Sequence, residues 1–193
     1  MYYINRWAVW IMRAFHCRGF GVQSPSDYSF IRYVVNEHYP YYAYSELAAA
    51  MPQAGRLTHK MGRLYLRMAN YRQPRVIVYA GQQNAAYKAY MQAGCKRAVI
   101  ADSIGQAIAR QTHIDMLIVR LDDSSEDVIV SALEHVDSRS VFVIEGINRN
   151  KAARAFWQRV IKDERIRVTF DLYYAGVLFF DVRRYKQHYK VNF

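Results

Sequence analysis

From Arg75 onward, short apolar runs alternate with amphipathic segments. Val76–Ala80, Arg97–Ala101, Asp115–Val119 and Ser140–Ile144 read as four buried strands. The segments between them carry helix signals. One helix runs over residues 84–93 and stops at Gly94. Ser103-Ile-Gly-Gln106 has the form of a capping box and starts a second. Ser124 and Ser125 cap a third, with Glu126 and Asp127 at its positive end. A fourth covers residues 150–162. Strand and helix in alternation predict a parallel sheet covered by helices. The ending departs from this pattern. Arg167–Phe180 alternates and then runs on as an apolar stretch, and Tyr189–Phe193 alternates again. Between them lies the polar loop Asp181–His188 with Arg183, Arg184 and Lys186. Two strands with no helix between them predict an antiparallel hairpin.

The first 72 residues read as helical. Residues 2–16 place Ile4, Trp7, Ile11 and Phe15 on one face, widened by Trp10, with Arg6 and Arg13 flanking it. Such a face packs on the domain, on a second copy of the chain, or on a membrane surface. Gly19, Gly21 and Ser24-Pro25 mark turns before a short helix from Asp27 to His38. Tyr39-Pro-Tyr-Tyr-Ala-Tyr44 reads as an irregular aromatic segment broken by Pro40. Its tyrosines pack in a core or stack on a base. A helix over residues 55–71 carries an apolar stripe of Leu57, Met61, Leu64 and Met68. It also carries a basic stripe of Arg56, Lys60, Arg63 and Arg67. That stripe is an ordinary solvated face or a surface that tracks phosphates. No linker or repeat divides the chain. The expectation is a single domain, 1–193, with a helical cap at 1–72 and a core at 73–193.

Composition narrows the function classes. Of 193 residues, 52% are apolar and 22% charged, which fits a globular chain and excludes long disorder. The net charge of +11 permits attraction to nucleic acid, anionic lipid or acidic partners. Cys17 and Cys95 are too few for a disulfide framework, so reduced thiols are expected. No apolar run is long enough for a membrane span, and residues 1–15 lack the layout of a signal peptide, so cytoplasmic residence is expected. The six histidines show no zinc spacing, and no P-loop or nucleophile elbow is present, so no metal is expected.

Candidate chemistry centres on Pro74–Ala86. A buried strand, a turn at Gly81 and a helix start lie where nucleotide-like ligands sit in α/β folds. Asp102 ends the next strand, 21 residues after Gly81, a spacing that suits an acid on ribose hydroxyls. Gly81 is also compatible with an ordinary turn, and Asp102 with an ordinary helix start.

A parallel sheet closed by an antiparallel hairpin resembles the class I methyltransferases that use S-adenosylmethionine. The resemblance is to a bacterial O-methyltransferase-like subgroup. It rests on Ser140–Asn148, Ala155-Phe-Trp157, Val168–Phe180, His188–Phe193 and the Ser24-Pro25 motif followed by Phe30. It implies a Rossmann-like, mostly parallel sheet with a helical N-terminal cap. About a dozen residues follow Asp102 before the third strand, which implies that one edge strand has been lost. It also implies a cofactor held by the turn at Gly81 and Asn84, by the strand end at Tyr79 and by Asp102. Glu145 is then the candidate catalytic acid or base. The family pattern has acids where Tyr79 and Arg120 stand, a glycine-richer turn where Gln82, Gln83 and Asn84 stand, and a paired acid where Gly146 follows Glu145. Asp122 and Asp123 come later than the acid expected after the third strand. The implied function is a methyltransferase-like protein of unknown methyl acceptor with a degenerate cofactor site. The alternative is a non-catalytic protein that binds RNA or a protein partner through a basic, Tyr-rich surface. Self-association through the aromatic N-terminal helix is a further expectation.

Overall fold

The computed structural model describes residues 8–9, 11–13, 21–81, 83–122 and 125–193. The strands are β1 Val76–Ala80, β2 Val99–Ala101, β3 Met116–Arg120, β4 Val141–Glu145, β5 Val168–Asp171, β6 Ala175–Phe179 and β7 Gln187–Lys190. The helices are α1 Pro25–Phe30, α2 Tyr42–Ala50, α3 Arg56–Arg72, α4 Ala85–Gly94, α5 Ile104–Ile108, α6 Ser125–Ala132 and α7 Lys151–Val160. Among the described residues, no helix is long and apolar enough to cross a membrane.

The strands form one sheet in the order β2-β1-β3-β4-β6-β5-β7. β1 pairs in parallel with β2 and β3, and β3 in parallel with β4. β6 runs antiparallel to both β4 and β5, while β7 lies parallel to β5. β2, three residues long, is the edge beside β1. This is a Rossmann-like sheet, mostly parallel, with one reversed strand near its C-terminal edge.

Alternation along the strands makes two cores. Ile77, Tyr79, Met116, Ile118 and Val143 point to the face covered by α1, α3 and α4, where Phe30, Tyr65, Met68 and Met91 meet them. Val78, Leu117, Phe142 and Ile144 point to the other face, against Ile129, Phe156 and Trp157 of α6 and α7. A sheet buried on both faces explains why these strands read as unbroken apolar runs.

The hairpin is shorter and tighter than the sequence suggests. Arg167–Phe180 is two strands, β5 and β6, and the last strand joins β5 in parallel instead of closing an antiparallel hairpin. The turn at Leu172–Tyr174 has neither glycine nor proline. Asp171 makes it instead: Oδ1 accepts the Tyr173 N–H at 2.8 Å, and Tyr173 takes a left-handed φ of 71°.

The N-terminal half also differs from expectation. The helix expected from Asp27 to His38 is α1 followed by a π turn, Ile31–Val35. Tyr39–Tyr44 is not wholly irregular, because α2 begins at Tyr42. Pro40 keeps the chain extended only as far as the cap, Tyr41, and the alanine-rich stretch beyond it favours helix. Arg67 leaves the solvated stripe altogether. It is 6% exposed and donates to the carbonyls of Val34 and Val35 and to Tyr44 Oη.

Part of the expected N-terminal helix and the Ser24-Pro25 motif also fall among the described residues. Residues 8–9 and 11–12 are helical, and the rest of the expected helix over 2–16 lies outside the described residues, as does Cys17. Arg13 is not a solvent-facing flank. It grips Asp171 with two hydrogen bonds of 3.0 Å each. The Ser24-Pro25 motif caps α1. Ser24 Oγ accepts the Asp27 N–H, and Asp27 is 2% exposed. Its carboxylate meets the Arg184 guanidinium and accepts from Tyr189 Oη at 3.0 Å.

α3 and α4 cross closely because glycines stand at the contact. A Cβ at Gly94 would collide with the Leu66 carbonyl oxygen, and one at Gly62 with the Tyr90 ring. Backbone cannot yield as a side chain does. Gly94→Ala is therefore expected to lower unfolding free energy by about 1–3 kcal/mol, the usual cost of overpacking. Urea denaturation followed by circular dichroism measures this, and an unchanged midpoint would contradict the packing account.

Candidate functional site

The strand register brings three polar side chains to one place. Arg120 pairs with Glu145 across β3 and β4, and Tyr79 pairs with Ile118. By alternation, Tyr79, Arg120 and Glu145 point to the face covered by α3 and α4, at the carboxyl ends of their strands. A cavity of about 520 Å³ opens there, with Tyr79, Gln83, Asn84, Arg120, Glu145 and Arg149 in its lining. Leu57, Thr58 and Met61 of α3, Tyr87 of α4 and Tyr174 complete the wall.

Tyrosines dominate the interior. Tyr65, fully buried on α3, donates its hydroxyl to Glu145 Oε1 in a short hydrogen bond. Tyr87 meets the Tyr65 ring edge-on at 5.0 Å and the Tyr79 ring at 6.3 Å. Burial and the nearby Glu145 carboxylate raise all three phenols. Tyr79 is pushed up to about 12, and Tyr65 well above its ordinary value. The Tyr87 phenol is raised in the same way. Of the three, Tyr65 donates to Glu145, while the Tyr79 hydroxyl accepts the Asn84 N–H.

Glu145 is shifted as well. Burial raises its carboxyl above the ordinary value of 4.5, while the Tyr65 hydroxyl and the Arg120 charge pull it part of the way back. Arg120 is exposed, and its charge acts on Glu145 from the neighbouring strand.

The expected cofactor residues separate. Tyr79, Asn84 and Glu145 line the cavity. Asn84 caps α4, its side chain accepting the Ala86 N–H at 2.9 Å, and its own backbone N–H bonds the Tyr79 hydroxyl. Gly81 has the left-handed turn conformation, φ 93°, which a glycine adopts without strain. Its carbonyl and that of Tyr79 accept from Gln83 Nε2 at 3.4 and 2.9 Å. Asp102 stands apart. Its side chain is 56% exposed, is bridged by Lys88 Nζ at 2.9 Å and takes no part in the lining. Its N–H meets Gln106 Oε1 at 3.1 Å, and Ser103 caps α5, so the capping box occupies this corner. Gln82, Asp123 and Ser124 lie outside the described residues.

Sequence reasoning did not find Tyr65, Tyr87, Thr58 or Arg149. Tyr65 follows Leu64 on the apolar stripe and gives no polar signal of its own. Arg149 follows Gly146, whose φ of 78° turns the chain back over the cavity. A register argument finds Arg120 and Glu145 together once β3 and β4 are paired in parallel.

The shift at Glu145 has a thermodynamic sign. Its folded value lies above its unfolded one, so the native state holds the proton more tightly. The stabilisation is fully present below the ordinary carboxylate value and is lost as pH rises through the folded value. Glu145→Gln keeps an acceptor for Tyr65 and removes the buried charge. The variant is expected to melt above wild type at about pH 8, with the advantage vanishing towards about pH 4. Calorimetric melting across that range checks it; a variant less stable at pH 8 would contradict the burial account.

No protein-family model matches the chain, and no curated protein matches it in sequence. Solved structures do share its architecture. A methyltransferase from Geobacter sulfurreducens superposes with a TM-score of 0.55 at 15% identity, over 75% of this chain and 92% of that one. The SAH-bound methyltransferase PaMTH1 of Podospora anserina gives 0.53 at 10% identity, over 82% and 96%. The cofactor-bound Rv0187 from MTB gives 0.51 at 11%, over 81% and 97%. Likeness at these identities is likeness of fold: the chain has the Rossmann-like fold of the class I methyltransferases.

Proposed function

We propose that the chain is a methyltransferase-like protein whose S-adenosylmethionine cleft has kept its place and lost its grip on the cofactor. The cofactor enters the argument from the fold, since neighbours of the same architecture hold SAH or a cofactor. The place is kept by the left-handed turn at Gly81 and by a cavity at the carboxyl ends of β1, β3 and β4.

The residues present do not fit the group. S-adenosylmethionine carries a sulfonium and an ammonium against one carboxylate, so its site needs acids. Asp102, the acid expected on the ribose, lies outside the cavity in an ion pair with Lys88. That single observation carries the reading. It is reinforced by Tyr79 at the end of β1, and by Arg120 and Arg149 in the lining. Among the described residues Glu145 is the only carboxylate side chain in that lining, and Tyr65 already donates to it. A general acid or base needs open access to the reacting proton. No methyl-transfer step is assigned to these residues, and no methyl acceptor follows from them.

Isothermal titration with S-adenosylmethionine and with S-adenosylhomocysteine tests the reading. The expected result is no saturable heat and a melting shift below about 1 °C at millimolar ligand, because stabilisation needs ligand above its Kd. Saturable binding in the micromolar range would overturn it and return the chain to the enzyme class.

A further inference from the structure

A second groove lies on the other side of α3. It has a volume of about 650 Å³, and its lining joins Asn36–Pro40 and α2 to Arg56, His59, Lys60, Arg63 and Arg67 of α3. Among the described residues Glu37 is the only carboxylate side chain in that lining, and its Oε1 accepts the Tyr39 N–H at 2.8 Å. Among the described residues, no carboxylate forms an ion pair with Arg56 or Arg63. Both are exposed, and Arg63 lies over the Tyr44 ring at 5.1 Å. Lys60 lies over the Phe193 ring at 4.4 Å.

The floor of this groove is rigid. Arg67 ties the end of the π turn to α3 through the Val34 and Val35 carbonyls and Tyr44 Oη. Asn36 ends that turn, and its backbone N–H returns to the Ile31 carbonyl. Its side-chain Nδ2 is buried without a hydrogen-bond partner. A buried amide donor without an acceptor is costly, and a ligand oxygen would relieve it. The cations and the donor therefore point to the same ligand chemistry, an oxyanion.

The spacing says more. Arg56, Lys60 and Arg63 span about 10 Å along the helix axis, more than one phosphate covers. Tyr39 stands on the rim with 81% of its surface exposed, and neighbouring Tyr42 shows 94%. Exposed rings beside a line of cations form the pattern that holds a single strand, with backbone on charge and bases on rings. We propose that this groove binds single-stranded nucleic acid through its phosphates, independently of the cleft beneath Glu145.

Fluorescence anisotropy with a labelled 12-nucleotide oligouridylate, across a salt series, tests this on the full chain. Arg56→Gln/Arg63→Gln is expected to weaken binding at least ~10-fold at low salt. It should flatten the log–log salt slope by about 1.4, since each single-strand phosphate contact contributes about 0.7. The control Lys151→Gln/Arg154→Gln removes two exposed charges from α7 on the opposite face and should change affinity less than about twofold. Asn36→Ala should weaken binding about threefold or more while leaving the melting temperature unchanged or higher, because no protein hydrogen bond is lost. Equal loss in the control would reduce the effect to net charge and overturn the proposal. So would absence of oligonucleotide binding at low salt. Competition by uridine monophosphate or pyrophosphate as effective as the unlabelled 12-mer would assign the groove to a small anion and equally overturn it.

Discussion

The hydrogen bond from Tyr65 to Glu145 decides what the central cavity is. It joins the longest helix of the N-terminal half to the end of β4, across the space where the sheet would receive a ligand. To make it, a phenol is fully buried and a carboxylate is taken largely out of water. Each partner alone would be a costly buried polar group, and together they satisfy one another. The same bond draws α3 onto the sheet. α4 follows α3 through the glycine contacts at Gly62 and Gly94, and Tyr87 then closes against Tyr65 and Tyr79. The position of the pair thus shapes one wall of the cavity and engages the Glu145 carboxylate in its lining.

Charge then decides between an intact and an altered cleft. Arg120, across the strand pair from Glu145, offsets only part of the cost of burying that carboxylate, whose value stays raised. For a cationic ligand the same arginine is repulsive. Asp102 shows the converse. A carboxylate bridged by Lys88 and more than half exposed is worth little to stability, because solvent screens the pair. Both acids stand at the ends of strands where the fold receives ligands. One is buried for structural reasons and the other is turned out to solvent. The position of the cleft belongs to the topology, while its chemistry belongs to a few side chains free to change.

Much of the fold was legible because β1, β3 and β4 are apolar on both faces, and each lies between recognisable helix starts. An antiparallel pair near the C-terminus was expected and is present, but its turn was not legible, because it uses Asp171 and a left-handed Tyr173 where sequence reading looks for glycine or proline. Part of one cavity's lining was legible: Tyr79 and Glu145 at strand ends and Asn84 at the helix cap. Asp102 falls outside that lining, because spacing places an acid along the chain and cannot say which way it turns. Arg67 misled for a related reason. Its place in a basic stripe of i, i+4 spacing hid a partner 33 residues away, the Val34 carbonyl, which draws it inside. Tyr65 carried no signal, since a tyrosine among apolar residues reads as core whether or not its hydroxyl reaches a carboxylate.

α3 has two working faces. Thr58, Met61 and Tyr65 look into the space beside Glu145, and Arg56, Lys60 and Arg63 look into the groove beside Asn36. On the side facing the sheet the helix is constrained by packing: Met61, Leu64, Tyr65 and Met68 are all at most 2% exposed. Its other side carries no such constraint. Among the described residues Arg56 and Arg63 form no ion pair with a carboxylate, and with Lys60 between them they cost like-charge repulsion and contribute nothing to the core. An N-terminal segment built only to cover the sheet would need no more than Arg67, which the π turn uses. Arg56 and Arg63 stand beyond that need, beside a buried amide donor still lacking its acceptor, and this surplus separates a binding face from a structural one.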